Sequence, residues 1–100
     1  MTIFERIAET RQSFSQMDCY EQESMATGCL LNDITEWANF LKFRNLGWNY
    51  GLINDNDHRD LYTLIQASPE QFNKQPIPVR LTIVEMLLDI QATLRSKGVI

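Results

Sequence analysis

Val79–Lys97, VRLTIVEMLLDIQATLRSK, decides how the rest of this chain must be arranged. At about 100° per residue, Val79, Ile83, Met86, Leu87, Ile90 and Leu94 share one helical face. Leu81, Val84 and Leu88 add apolar surface on the flank and back. The polar wall left over, Thr82, Glu85, Asp89 and Thr93, is narrow. A helix on the outside of a domain needs only one apolar stripe. This one has more, so it is expected at the centre, with other helices packed around it.

Working outward, Gln75-Pro76-Ile77-Pro78 enforces an extended entry, because each proline disfavours helical geometry in the residue before it. Gly98 is the expected stop. Ser68-Pro69-Glu70 restarts a helix of a turn or two through Phe72, with serine as cap and proline harmless in the first turn. Asp57 is expected to open a helix of about nine residues carrying Leu61, Leu64 and Ile65, with Tyr62 beside them.

At the other end, Thr2 and Glu5 match a capping box. Ile3, Ile7 and Phe14 then define a helix over 3–16, and Asp18 caps its successor. That successor is expected to run unbroken over 20–43. Ala26, Leu30, Ile34, Trp37 and Leu41 form its stripe, and Phe40 and Phe43 extend the burial to one side. Trp37, lying in this stripe, is a core residue. Gly28 costs about 1 kcal/mol relative to alanine in a helix interior. It either permits close packing or divides the segment, and Asn32 and Asp33 offer another interruption.

From Arg44 to Asn56 the helical pattern stops. Gly47 and Gly51 bracket Trp48-Asn49-Tyr50, and Asn54-Asp55-Asn56-Asp57 is dense in turn and cap residues. An ordered loop across the bundle, or a short hairpin around Trp48–Ile53, fits this stretch. The fold class is therefore all-α: one domain over residues 1–100, a compact small helical bundle. It has four main helices, one short extra turn and an irregular aromatic loop.

An apolar fraction of 44% and ten aromatic residues argue against wholesale disorder in a chain of 100 residues. The net charge of -4 disfavours nonspecific attraction to nucleic acid or anionic lipid. Residues 1–41 hold seven acids and two bases, net -5, so the front half can meet a basic partner. Cys19 and Cys29 form no CxxC and no secretory signal precedes them, which suggests reduced thiols and a cytoplasmic location. No apolar run approaches the roughly 20 residues of a spanning helix, so no membrane association is expected.

The search for chemistry is unrewarding. A calcium loop starting at Asp55 would place Arg59, Asp60 and Gln66 where it needs an oxygen ligand, a glycine and a bidentate glutamate. A zinc site using His58 and a cysteine has no support in the spacing. The acids of the 54–57 cluster are instead expected to cap, Asp57 in particular. Cys19–His58 or Cys29–His58 would have to be brought together by folding. The acid pairs Asp33/Glu36 and Glu85/Asp89 read as polar helix walls, and no glycine loop can cradle phosphate. No enzyme, metal or cofactor is expected.

What remains is interaction. Trp48 and Tyr50, with nearby Leu52, are candidate anchors, since aromatic side chains bury large areas with little rotamer entropy. Glu21, Glu23 and Glu36 are candidates for steering a basic partner, including a nucleic-acid-binding protein. The expected function is a small soluble inhibitor, regulator or adaptor acting by steric or acidic-surface contacts. The alternative is a nucleic-acid-binding transcriptional regulator, disfavoured because the bases are dispersed. The apolar surplus of the last helix also allows a homodimer interface.

Overall fold

Short polar side chains start several of the helices, because they accept hydrogen bonds from amides that have no partner in the first turn. Thr2 Oγ1 accepts from the Glu5 amide at 3.2 Å, and its hydroxyl lies 3.3 Å from the Glu5 carboxylate it donates to. Asp18 accepts from the Glu21 amide at 2.8 Å and Ser68 from the Gln71 amide at 3.2 Å. The computed structural model describes residues 2–31, 34–65 and 68–100. Among them stand α1 (Ile3–Ser15), α2 (Cys19–Gly28), α3 (Ile34–Asn49), α4 (Asp55–Ile65), α5 (Pro69–Asn73) and α6 (Ile77–Ser96). The all-α bundle is as expected, but it is built from six helices rather than four and an extra turn.

α6 is the hub. It packs against α1, α2 and α3, while α4 closes the bundle through contacts with α1, α3 and α5. All six residues of its expected inner face are buried, and Ile83 and Leu94 are completely enclosed. Ile3 and Ile7 of α1, Leu31 after α2, Leu61 and Ile65 of α4 and Phe72 of α5 complete the core. Phe72 meets Phe40 edge to face at 5.5 Å. Thr82, assigned to the polar wall, is buried instead. Its hydroxyl lies 2.9 Å from both the Thr10 hydroxyl of α1 and the accepting Pro78 carbonyl, so its polarity is satisfied inside.

The expected continuous helix over 20–43 is two helices. After Gly28 the chain turns inward and buries Cys29 and Leu31. Leu31 donates its amide to Asn73 Oδ1 at 2.9 Å, and its carbonyl accepts from Asn73 Nδ2 at 2.8 Å. One side-chain amide thereby satisfies both backbone groups where the helical ladder is broken. The supposed stripe dissolves, leaving Leu30 and Ile34 exposed. Asn32 and Asp33, named as a possible interruption, lie outside the described residues. Trp37 does pack against the core.

The expected loop at 44–56 is largely helix. α3 continues through Gly47 and Trp48 to Asn49, and no strand or hairpin occurs among the described residues. Gly47 is no turn residue. A Cβ there would lie 2.9 Å from Ile90 Cδ1, so its bare backbone lets α3 close against α6. Gly51 provides the stop, at φ 73. Its amide donates to the Trp48 carbonyl and that of Leu52 to the Gly47 carbonyl, the paired bonds of a Schellman ending. Gly98 ends α6 in the same way. α4 then opens at Asp55, two residues before Asp57. The cap is Asn54, whose Oδ1 accepts from the Asp57 amide at 2.7 Å, so Asp57 occupies the first turn instead of capping it.

Candidate functional site

Because α3 runs on to Asn49, Trp48 rides its last turn and faces the first turn of α4. The indole stacks on the His58 ring with centroids 4.5 Å apart and planes 17° from parallel. Its Nε1–H donates to Asp55 Oδ1 at 2.6 Å. Asp55 is well placed, since a carboxylate in the first turn also answers the positive end of the helix dipole. Trp48 nevertheless keeps 44% of its surface exposed. A large side chain held by a stack and a hydrogen bond yet open to solvent is pre-organised for contact.

A second set of bonds fastens the same junction from beneath. Arg44 Nη2 and His58 Nε2 both lie 3.1 Å from Asn45 Oδ1. An oxygen that accepts from the guanidinium must also accept from the imidazole, so His58 carries its proton on Nε2. Arg44 Nη1 donates to the His58 carbonyl at 3.2 Å, and the guanidinium lies 4.9 Å from the centre of the Tyr62 ring. Burial pushes the Arg44 pKa down, with Tyr62 opposing. Burial likewise lowers the His58 pKa, Arg44 adds to the effect, and Asp55 opposes both. His58 is thus a neutral ring support at physiological pH.

The residues singled out from sequence do not converge. Tyr50 follows Trp48 at the end of α3 and is 51% exposed. Leu52 turns the other way, packs against the core, and lines a small depression with Arg6 and Ile90. Glu21 and Glu23 are exposed on α2, whose main packing is against α6. Glu36 lies in the first turn of α3, about 18 Å along the axis from Trp48 at 1.5 Å per residue. There it lines a separate groove with Leu30, Cys29 and Leu88.

Comparison with protein-family models, with curated proteins and with solved structures finds no match for this chain. Its chemistry must therefore be read from its own side chains. Among the described residues no three His, Cys, Asp or Glu side chains gather as a metal site would require. Asp55 and His58, three positions apart in the first turn of α4, are engaged by Trp48 and Asn45. Both cysteines are free thiols. Cys29 lies against the Met25 carbonyl at 3.0 Å, and burial raises its pKa, outweighing the opposing pull of Arg80. That environment keeps the thiol protonated and unreactive.

Arg44, Asn45, Asp55, His58 and Tyr62 were missed as parts of one surface. The available signal was the spacing of Arg44, Asn45 and Trp48 on one helix and Asp55, His58 and Tyr62 on the next. It becomes readable only once residue 47 is known to be helical.

Proposed function

We propose that this chain is a small protein-interaction module, acting as an inhibitor, regulator or adaptor, and that it docks through the aromatic surface where α3 meets α4. The observation that carries this reading is Trp48. Its indole is exposed but already immobilised by His58 and Asp55, so little side-chain entropy remains to be lost on contact. Tyr62, exposed and set against the Arg44 guanidinium, extends the surface, exposed Tyr50 follows Trp48 by two residues, and both carry hydroxyls for specificity. Glu21 and Glu23 supply an acidic field that speeds the approach of a basic partner without forming the anchor. The module is non-catalytic in this reading, and its free thiols suit a reducing cytoplasm.

The distribution of bases favours this over nucleic-acid recognition. Arg44 and Arg80 are buried, Arg6 pairs with Asp89 at 3.9 Å, and Arg59 lies 3.9 Å from Asp60. Four of the nine bases are thereby drawn away from any phosphate track. Among the described residues no helix is long and apolar enough to cross a membrane.

Affinity capture with the intact chain, repeated with the Trp48→Ala, Tyr50→Ala double variant, tests the reading. A hot-spot tryptophan is worth about 2 kcal/mol or more, so the partner's Kd should rise by at least about thirtyfold. Undiminished capture by a folded double variant would remove this surface as the docking site.

A further inference from the structure

A concave feature separate from the Trp48 surface lies toward the opposite end of α3. Between the turn after α2, the first half of α3 and the middle of α6 is a groove of about 250 Å³. Cys29 and Leu87 are buried in its wall and Phe40 is half-buried. Leu30 and Leu88, 40% and 55% exposed, are the open apolar members of the lining. The volume falls below the roughly 300–1,000 Å³ of cofactor and drug-sized sites, so the groove suits protruding side chains better than a cofactor. Among the described lining residues the charged one is acidic, Glu36.

We infer that this groove receives one face of a basic amphipathic helix from a partner protein. Aliphatic side chains at i, i+3 and i+4 enter beside Leu30 and Leu88, and a lysine or arginine on the helix flank faces Glu36. Charge decides between a partner and a second copy. Each chain carries -4, and residues 1–41, which supply Glu36 and the turn after α2, carry -5. Two copies meeting here would bring like charges together, whereas a basic helix is attracted. The inference does not depend on the Trp48 surface and shares none of its residues. If both hold, the chain is a two-sided adaptor.

The probe is an amidated peptide of about fourteen residues built from Leu, Ala and Lys, with leucines on one helical face, and a twin in which Glu replaces Lys. Each is titrated into the full, methyl-labelled chain by NMR. The lysine peptide should shift the methyl signals of Leu30, Val84 and Leu88 saturably, while the glutamate twin leaves them in place. Leu88→Ala, at an exposed position, should weaken binding about tenfold. Glu36→Gln should weaken it about threefold, and Glu36→Lys should transfer the preference to the glutamate peptide. Equal binding of the two peptides would overturn the inference. So would shifts confined to α2 or to Trp48, or groove shifts that follow chain concentration without peptide and mark a second copy as the occupant.

Discussion

Two glycines in helical segments make opposite demands on their surroundings. A Cβ at Gly28 would meet nothing within 4 Å, whereas one at Gly47 would press on Ile90 at 2.9, 3.1 and 3.2 Å. Gly28→Ala should therefore stabilise the fold by about 0.5–1 kcal/mol through helix propensity alone. Gly47→Ala gains the same propensity but overpacks a full core, a penalty of about 1–3 kcal/mol, so a net loss is expected. Urea unfolding of both variants checks the signs, and trimming the obstacle with Ile90→Val should shrink the Gly47→Ala loss. In the sequence these glycines look alike, and Gly47 even resembles a turn residue beside Trp48. The atom that explains it belongs to a residue 43 positions away. His58 offers a second test. Its folded pKa lies below the ordinary value of about 6.5, so as pH falls the unfolded chain takes up the proton first. The stability contributed by the neutral ring is complete above that value and is lost as pH falls below it toward the folded pKa. His58→Phe keeps an aromatic ring against Trp48 but cannot titrate. Its stability relative to wild type should be constant above about pH 7.5 and improve below about pH 6.5, measured by unfolding at each pH.

Helix starts were largely legible because capping is local. Thr2, Asp18 and Ser68 each announce a helix within three residues and each accepts the expected amide. At Asn54-Asp55-Asn56-Asp57 four cap-competent residues stand in a row, and local chemistry cannot choose among them; the cap is Asn54. The break between α2 and α3 was illegible for a different reason. Its backbone is satisfied by Asn73, 42 residues away, which no window over residues 20–43 contains. Asn73 should thus matter more than its surface-type chemistry suggests. Asn73→Ala leaves the Leu31 amide and carbonyl without their partner in a part-buried site, at a cost of about 1–3 kcal/mol. Asn73→Asp keeps the acceptor for the amide but loses the donor to the carbonyl. Amide exchange at Leu31 should accelerate strongly in Asn73→Ala and less in Asn73→Asp. Equal, slow exchange in both would show that the turn is held by something else.

At the scale of the whole molecule, the central place of α6 follows from its surplus of apolar faces, and that is why the architecture could be read before any contact was known. The aromatic surface could not, since its parts come from two helices, and the first of them runs on through Gly47 to Trp48 only because it closes against Ile90 of α6. The same hierarchy predicts how the molecule opens. α6 carries nine buried residues, α1 and α4 carry two each, and α2 carries none. α2 is held mainly at its ends: by the Asp18 cap, by Gln22 donating to the Phe14 carbonyl at 3.0 Å, and by the buried Cys29 and Leu31 beyond its last turn. A helix of ten residues is too short to persist on propensity alone. Its amides should therefore exchange through local opening that exposes little surface and responds weakly to denaturant. Amides in the middle of α6 can exchange only when α1 and α3 separate from it, which is global unfolding with the full denaturant slope. Native-state hydrogen exchange at increasing sub-denaturing urea should thus give two families of isotherms, shallow for α2 and steep for α6. A single steep family containing both helices would mean that α2, despite burying no side chain, is fastened along its length and not only at its ends.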